Sequence, residues 1–363
     1  VGSLLQIMCL RLLQKHGHRP IVLLGGGTTR IGDPSGKDKT RTILSENEIE
    51  KNINNIEKIL KNFLDDKNSK TKPIFVNNYS WLKSLNYISF LRDIGKHFTI
   101  NKMLSFDSVK TRLEREQSLS YMEFNYMILQ AYDFLELNKK KNCVLQIGGS
   151  DQWGNIVNGV DLIKRYSNNR VYGLTTPLIT LASGAKMGKT ESGAVWLDKR
   201  LLSSYDYWQF WRNIDDRDVL KFIKFFTDIN IDQIEKIKNN NINELKILLA
   251  NKTTAMLHGE SESKTAEETA KTTFKGNSIG DALPTIILNY SEINKKNIIE
   301  IIILSKLEKS KSEIRRLIKG NAVKVNNEVI NDEKFTLDKS LFEKKFVKLS
   351  IGKKRHLKVE IKD

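Results

Sequence analysis

Cysteine is scarce in this chain of 363 residues, which contains only Cys9 and Cys143. Both lie within apolar runs, so we interpret them as small buried hydrophobic side chains. Neither the cysteines nor the five histidines have the spacing of a metal site. The sequence therefore predicts a protein without a bound structural metal.

Long apolar runs are also missing. A membrane-spanning helix needs about 20 apolar residues, and the stretch Ile298–Leu304 is much shorter, so we interpret it as a core segment. No secretory signal is recognisable. We therefore expect a cytoplasmic protein without membrane contact, and the chain length predicts two or three domains.

Acidic residues are outnumbered, with 43 Asp and Glu against 60 Lys and Arg, which gives a net charge of +17. About half of this excess lies in residues 301–363. A basic patch of this kind attracts a polyanion such as RNA through the release of counterions. The charge alone leaves a second interpretation open, namely a lysine-rich composition that only solvates the surface.

Strands and helices alternate in the first half of the chain. The apolar pattern predicts strands over residues 21–24, 73–76 and 144–147, and helices over 3–15, 46–63, 81–97, 124–137 and 156–166. Such alternation is typical of an α/β fold with a mostly parallel sheet. Residues 205–275 are predicted to be helical, with their many aromatic side chains in the core. The last part is predicted to be a small mixed domain.

The start of the chain has no strand ahead of its first helix. In an α/β fold a strand normally leads into such a helix, so we expect the first strand to be missing from this chain. The opening residues Val1, Gly2 and Ser3 then stand at the start of a helix, which is a suitable place for a phosphate.

A glycine-rich segment over residues 25–37 follows the strand at 21–24. Only three residues separate Gly32 from Gly36, and Asp38 follows Lys37, so the segment is not a P-loop. It does not fit a dinucleotide-binding fingerprint either. Taken alone, its Asp33 and Lys37 are equally typical of a surface turn.

Three further sets of polar residues are candidate ligand-binding motifs. Tyr126, Gln130 and Asp133 are spaced by four and three residues, which places them on one face of a helix. The run from Gly148 to Asn155 follows an apolar strand, at the end where open parallel sheets bind ligands. The segment from Lys186 to Thr190 carries two lysines and a hydroxyl that could follow phosphates.

Taken together, these motifs resemble the bacterial-type tyrosyl-tRNA synthetases, which are class I aminoacyl-tRNA synthetases, from residue 1 to the C-terminal end. The resemblance implies an α/β fold whose Rossmann-like catalytic domain is followed by an α-helical domain and a small α+β RNA-binding domain. The implied boundaries are 1–176 for the catalytic domain, 177–204 for a connector with the KMSKS-type loop, 205–275 for the helical domain, 276–298 for a linker and 299–363 for the ribosomal-protein-type domain.

The resemblance also implies roles for single residues in joining L-tyrosine to ATP. The residues expected to act on the pyrophosphate are Lys37, Arg41, Lys186, Lys189 and Thr190. Those expected to bind tyrosine are Asp33, Tyr126, Gln130, Asp133 and Gln152, with Asp133 accepting from the phenol. Those expected to bind ATP are Gly2, Ser3, Gln6, Gly149, Asp151, Lys186 and Lys189. Gln146 is expected to join the same polar network.

The implied partners are tRNA(Tyr), tyrosine, ATP with Mg²⁺, and a second copy of the chain, to which residues 90–98 could contribute. Candidate RNA contacts in the basic C-terminal helix and the strand after it are Arg315, Arg316, Lys319 and Lys324. A solvated helix face remains the alternative for that helix.

Two departures leave other interpretations open. Ser3 stands where the class I HIGH signature ends in His, and the first His of that signature would precede Val1, so the chain as given could be inactive. A synthetase relative that only binds RNA is therefore one alternative. A tryptophanyl-tRNA synthetase is a lesser one, because its pocket would not need Asp133.

Overall fold

The computed structural model describes residues 1–33, 44–64, 67–190, 193–275, 283–342, 346–352 and 355–362. Lys37 and Arg41 lie outside these residues, and for Lys189 and Thr190 only the backbone is described. The chain forms two compact units, Val1–Ala194 and Val195–Asp363. No helix in the described part is long and apolar enough to cross a membrane.

The first unit alternates helices with short parallel strands. Its helices are α1 (Leu4–Lys15), α2 (Glu46–Phe63), α3 (Tyr79–Leu82), α4 (Tyr87–Asp93), α5 (Ile100–Leu104), α6 (Asp107–Glu114), α7 (Tyr121–Phe124), α8 (Tyr126–Lys141) and α9 (Trp153–Ser167). Its strands are β1 (Ile21–Leu24), β2 (Ile74–Asn77), β3 (Leu145–Gly149), β4 (Tyr172–Thr176), β5 (Lys189–Thr190) and β6 (Gly193–Ala194).

Parallel pairing confirms the predicted α/β fold class. In the described residues β1 pairs with β2, and β3 pairs with β4 so that Gly149 stands opposite Thr176. Helices α8 and α9 pack closely because Gly159 has no side chain, and a Cβ there would lie 2.9 Å from the Phe134 ring. The two parallel strand pairs, β1 with β2 and β3 with β4, therefore lie beside the closely packed helices α8 and α9.

One predicted helix is interrupted. The apolar pattern predicts a single helix over residues 81–97, but the structure ends α3 at Leu82 and begins α4 at Tyr87. Asn86 has an extended backbone, and its side chain accepts a hydrogen bond from Ser89 N, so it caps a new helix instead of continuing the old one. α3 is therefore a separate short helix, which carries Trp81 and has Asn78 at its N-terminus, and both residues belong to the site described below.

The second unit begins with helices α10 (Ser204–Arg212), α11 (Val219–Phe226), α12 (Ile231–Ile237), α13 (Ile242–His258) and α14 (Glu260–Lys275). Its aromatic rings are buried against one another, as in the 5.2 Å contact of Trp211 with Phe226. The interpretation of this aromatic run as core is therefore confirmed for the rings of Tyr207, Trp208, Trp211, Phe222 and Phe226.

A five-stranded sheet follows in the same unit, with strand order β7-β11-β10-β8-β9. Its elements are β7 (Thr285–Asn289), α15 (Tyr290–Ile293), α16 (Ile298–Leu304), α17 (Lys311–Lys319), β8 (Val323–Val325), β9 (Glu328–Val329), β10 (Phe346–Ile351) and β11 (Arg355–Lys362). β7 and α15 lie within residues 276–298, where the sequence analysis expected a linker. They are ordered because Ile286 and Leu288 alternate towards the core.

Candidate active site

Asp133 lies at the centre of the site, on α8, with only 1% of its surface exposed. Its two carboxylate oxygens accept hydrogen bonds from Asn78 Nδ2 at 2.8 Å and from Trp81 Nε1 at 2.7 Å. Burial raises the pKa of Asp133 to about 7, although both hydrogen bonds oppose that rise. A buried carboxyl held in this way retains lone pairs that can accept from a ligand hydroxyl.

Asn78 and Trp81 contact Asp133 and were not predicted as site residues by the sequence analysis. Asn78 is fully buried and also accepts from Gly27 N at 2.7 Å, so it ties the glycine-rich turn to the α8 helix. A polar residue directly after a strand was the available signal, since Asn78 follows β2 as the glycines follow β1.

The helix face predicted from spacing is present. Tyr126, Gln130 and Asp133 all belong to α8, where residues four and three apart lie on one side. Tyr126 and Gln130 are half-buried, whereas Asp133 is buried. The face therefore deepens from Tyr126 towards Asp133, as a pocket for an elongated ligand requires.

Two predicted tyrosine-binding residues from distant segments also meet. Gln152 Nε2 donates to Asp33 Oδ2 at 3.0 Å, although 119 positions separate them in the sequence. Gln152 in turn accepts at Oε1 from Asn155 Nδ2 at 3.1 Å. The turn after β1 and the start of α9 are thereby joined through side chains.

The two glycines at the end of β3 leave room for a ligand to approach the backbone. A Cβ on Gly149 would lie 2.5 Å from Asp151 Oδ1, so glycine is needed for this carboxylate to approach. Asp151 is exposed at the end of the strand, where it is open to a ligand. Gln146 Oε1 is buried without a hydrogen-bond partner among the described groups, which leaves it available to the same network.

The segment from Lys186 to Thr190 packs against the first residues of the chain. Gly188 has φ +87°, and a Cβ there would lie 2.7 Å from Gly2 N, so both backbone conformation and space require glycine. Lys186 is exposed beside this contact. Gly2 and Gly188, which are 186 positions apart in the sequence, thus share one location. Gln6, which was expected to bind ATP, donates to Thr176 Oγ1 at 2.8 Å.

The four candidate RNA contacts lie on two surfaces of the sheet domain. Arg315, Arg316 and Lys319 are exposed on α17, whose Ile314 and Ile318 face the core. Lys324 lies between the buried Val323 and Val325 of β8, so it points to the opposite side of the sheet. Arg315 pairs with Glu333 and Arg316 with Glu313.

Comparison with known proteins identifies the family. Residues 1–275 match the family of class I tRNA synthetases for W and Y, and residues 278–359 match the C-terminal domain of SYY-like tyrosine–tRNA ligases. The chain is 80% identical over 362 residues to the tyrosine–tRNA ligase of Pelagibacter ubique, covering 99% of this chain and 88% of that one. The chain belongs to the tyrosine–tRNA ligases.

Other relatives agree with this assignment. A tyrosine–tRNA ligase of Wolbachia from Brugia malayi is 54% identical over 366 residues, covering 99% of this chain and 88% of the relative. Among solved structures, a C-terminally truncated mitochondrial tyrosyl-tRNA synthetase of Aspergillus nidulans is 30% identical, with a TM-score of 0.67 over 76% of this chain and 82% of that one. The corresponding Coccidioides posadasii structure is 28% identical, with a TM-score of 0.63 over 74% and 79%.

Membership of this family favours tyrosine over tryptophan as the amino acid, because a C-terminal domain typical of tyrosine–tRNA ligases is present. The buried carboxyl of Asp133 agrees with that choice. The family identified by comparison is therefore the one that the sequence motifs resembled.

Proposed function

We propose that this protein ligates L-tyrosine to tRNA(Tyr) in two steps, with ATP as the energy source. The observation that carries the proposal is the buried Asp133, which Asn78 and Trp81 hold in place at the deep end of the α8 face. The reaction supplies protein synthesis, so we assign it to the cytoplasm.

In the first step the tyrosine carboxylate attacks the α-phosphate of ATP. A carboxylate-to-phosphorus bond forms, the bond to the β-phosphate bridging oxygen breaks, and pyrophosphate leaves with Mg²⁺. The protein contributes position and charge rather than a nucleophile. We assign the pyrophosphate to Lys37, Arg41, Lys186, Lys189 and Thr190, and the nucleoside to Gly2, Ser3, Gln6, Gly149 and Asp151.

In the second step a hydroxyl of the terminal adenosine of tRNA attacks the tyrosyl carbonyl, and AMP leaves. The basic residues Arg315, Arg316, Lys319 and Lys324 are assigned to phosphates of the tRNA. Since they lie on two surfaces of the domain, the proposal requires RNA to reach around one edge of the sheet, or α17 and β8 to contact different parts of it.

Selection of tyrosine is assigned to the phenol. Tyr126, Gln130 and Asp33 would hold the ammonium group, while Asp133 accepts from the hydroxyl. Phenylalanine would leave this buried acceptor without its donor. Known tyrosyl-tRNA synthetases reject phenylalanine in this way by about 10⁵-fold without editing.

A test of this function is charging of a tRNA(Tyr) transcript with labelled tyrosine by the product of the complete open reading frame. We expect esterified tRNA with tyrosine and none with phenylalanine or tryptophan. A folded protein that binds the transcript but never charges it would instead be an RNA-binding relative without catalysis.

We further propose that the protein works as a homodimer through an apolar face of the first unit. Tyr87, Ile88 and Tyr121 are 57%, 70% and 66% exposed there, and the hydroxyls of the two tyrosines lie 2.9 Å apart. Beside them lies a cavity of about 450 Å³ with mostly apolar walls, to which Phe90 and Leu91 contribute. Contiguous exposed apolar surface of this kind is typical of an interface.

Light scattering after gel filtration tests this assembly. We expect the unchanged protein to have twice the chain mass and Ile88→Asp to be monomeric. The control Ile231→Asp changes a residue that is 69% exposed in the second unit and should stay dimeric. A monomer before any substitution would overturn the assignment.

A further inference from the structure

Three side chains form one directed hydrogen-bonded relay at the amino-acid end of the site. Asn155 Nδ2 donates to Gln152 Oε1 at 3.1 Å, and Gln152 Nε2 donates to Asp33 Oδ2 at 3.0 Å. Asn155 is 5% exposed and Gln152 is half-buried. Asn155 is not among the residues assigned above to tyrosine, ATP or pyrophosphate.

The relay selects one of two orientations of the Gln152 amide. A glutamine amide can turn by 180°, which exchanges its oxygen and its NH₂ group. In the reversed orientation the oxygen would face the Asp33 carboxylate, and the NH₂ group would face the NH₂ group of Asn155. The Asp33 carboxylate can only accept, so it favours the observed orientation, and Asn155 adds a donor to the Gln152 oxygen in that orientation.

The same geometry leaves one hydrogen of Gln152 Nε2 unused by Asp33, because an amide NH₂ group has two. Asp33 is the residue assigned to the substrate ammonium group, so a bound amino acid would place its α-carbon near this second N–H. That carbon also carries the reacting carboxylate. A donor is well placed there.

We propose that Asn155 is a positioning residue, which fixes the Gln152 amide so that its second N–H donates to the substrate carboxylate. This inference rests on the proposed tyrosine activation. It assigns recognition of the ammonium to Asp33 and of the carboxylate to Gln152, and Asn155 acts on the second of these.

Local structure makes the arrangement rigid. Gln152 immediately precedes α9, and Asn155 lies in the first turn of that helix, so the two residues are three positions apart on one side. Gly148 allows the Gln152 stem to pack on β3, since a Cβ there would lie 3.2 Å from Gln152 Cβ. Neither side chain needs a loop to hold it.

The test compares tyrosine with tyrosinol, which keeps the ammonium and phenol but lacks the carboxylate. Equilibrium binding of both is measured for the unchanged protein, Asn155→Ala and Asn155→Asp. We expect each variant to weaken tyrosine binding about tenfold, the worth of one hydrogen bond to a charged group, with tyrosinol binding changed less than about twofold. In Asn155→Asp the new carboxylate cannot donate to Gln152 Oε1.

Two controls separate positioning from general structure. Asn158→Ala removes an equally buried asparagine one turn further along α9, whose Nδ2 donates to Gly154 O at 2.9 Å, and should spare both ligands. In a Gln152→Ala background, Asn155→Ala should have no further effect on tyrosine. Equal loss of tyrosine and tyrosinol, or additive losses in the double variant, would overturn the inference. Failure of the unchanged protein to bind tyrosine would instead refute the proposed function.

Discussion

At the scale of single residues, the unusual group is the carboxyl of Asp133. Its pKa in the folded protein, about 7, is raised above the ordinary value by burial. The folded protein therefore holds this proton more tightly than the unfolded chain between about pH 4 and pH 7. The stabilisation from this group is complete below the unfolded pKa and is lost as the pH rises through the folded one.

The same shift predicts how tyrosine binding depends on pH. A phenol donates best to the ionised carboxylate, so bound tyrosine competes with the proton on Asp133. We expect tyrosine affinity to rise about tenfold between pH 6 and pH 8, because only about a tenth of the groups are ionised one unit below the pKa. Equilibrium dialysis across this range measures the effect.

The control is Asp133→Asn, whose side chain cannot ionise and whose pH profile should be flat. Phenylalanine, which lacks the donor, should bind weakly at every pH. A rising profile that survives in Asp133→Asn would assign the titration to another group.

Residues that one element brings together could be predicted from their spacing, whereas residues from separate elements, such as Asp33 and Gln152, were assigned to one site only through the family resemblance. The spacing of Tyr126, Gln130 and Asp133 is a property of one helix. Trp81 reaches Asp133 across 52 positions, and no local pattern encodes that distance. Helical periodicity is local physics, whereas the choice of a partner depends on tertiary packing.

At the scale of elements, the site helix α8 depends on a buried ion pair just ahead of it. Arg112 Nη1 on α6 lies 3.2 Å from Glu123 Oε1 on α7, and these side chains are 4% and 2% exposed. Glu123 also caps α7 by accepting from Ser120 N. The pair therefore joins the two helices that lead into α8.

Removing the charge of Glu123 should be costly. We expect Glu123→Gln to lower the free energy of unfolding by about 3–5 kcal/mol, because it leaves the buried Arg112 charge uncompensated. Urea-induced unfolding measures this change. The control Glu114→Gln breaks an exposed pair with Lys110 and should cost less than about 1 kcal/mol. Similar costs for the two variants would contradict the assigned role of burial.

Element boundaries were predictable wherever capping and periodicity agree. The predicted helix over 46–63 matches α2, which Ser45 and Glu48 cap reciprocally. The predicted helix over 81–97 fails because Asn86 begins a new helix inside an apolar pattern that continues through it. β7 escaped prediction because it is a short edge strand, whose order depends on pairing with β11 and on packing of Ile286 and Leu288 against the core.

At the scale of the whole molecule, the net charge of +17 suits a polyanionic partner. The exposed arginines of α17 contribute to this charge, and their contribution to tRNA binding can be measured. We expect Arg315→Ala with Arg316→Ala to reduce the slope of log affinity for tRNA against log salt concentration by about 2, since each phosphate contact contributes about 0.9. Filter binding at several salt concentrations measures the slope.

A charge-matched control is Lys51→Ala with Lys58→Ala, both exposed on α2 of the first unit. It removes the same charge and should leave the slope unchanged. Equal changes in both double variants would show that only net charge matters, which is the alternative left open by the composition.

The division of the chain into domains stays a prediction at this scale. The sequence predicts domain boundaries at 176, 204, 275 and 298, whereas the folded chain divides into two compact units after Ala194. Composition marks where aromatic helices give way to a basic mixed fold. Composition does not determine how strongly neighbouring segments pack. The strength of that packing sets where a compact unit ends.

The most direct measurement is amino-acid-dependent exchange of pyrophosphate into ATP, using the folded product of the complete open reading frame with tyrosine, phenylalanine and tryptophan in parallel. We expect exchange with tyrosine alone, lost in Asp133→Ala. Exchange with tryptophan, or no exchange with any of the three, would contradict tyrosine activation at this site.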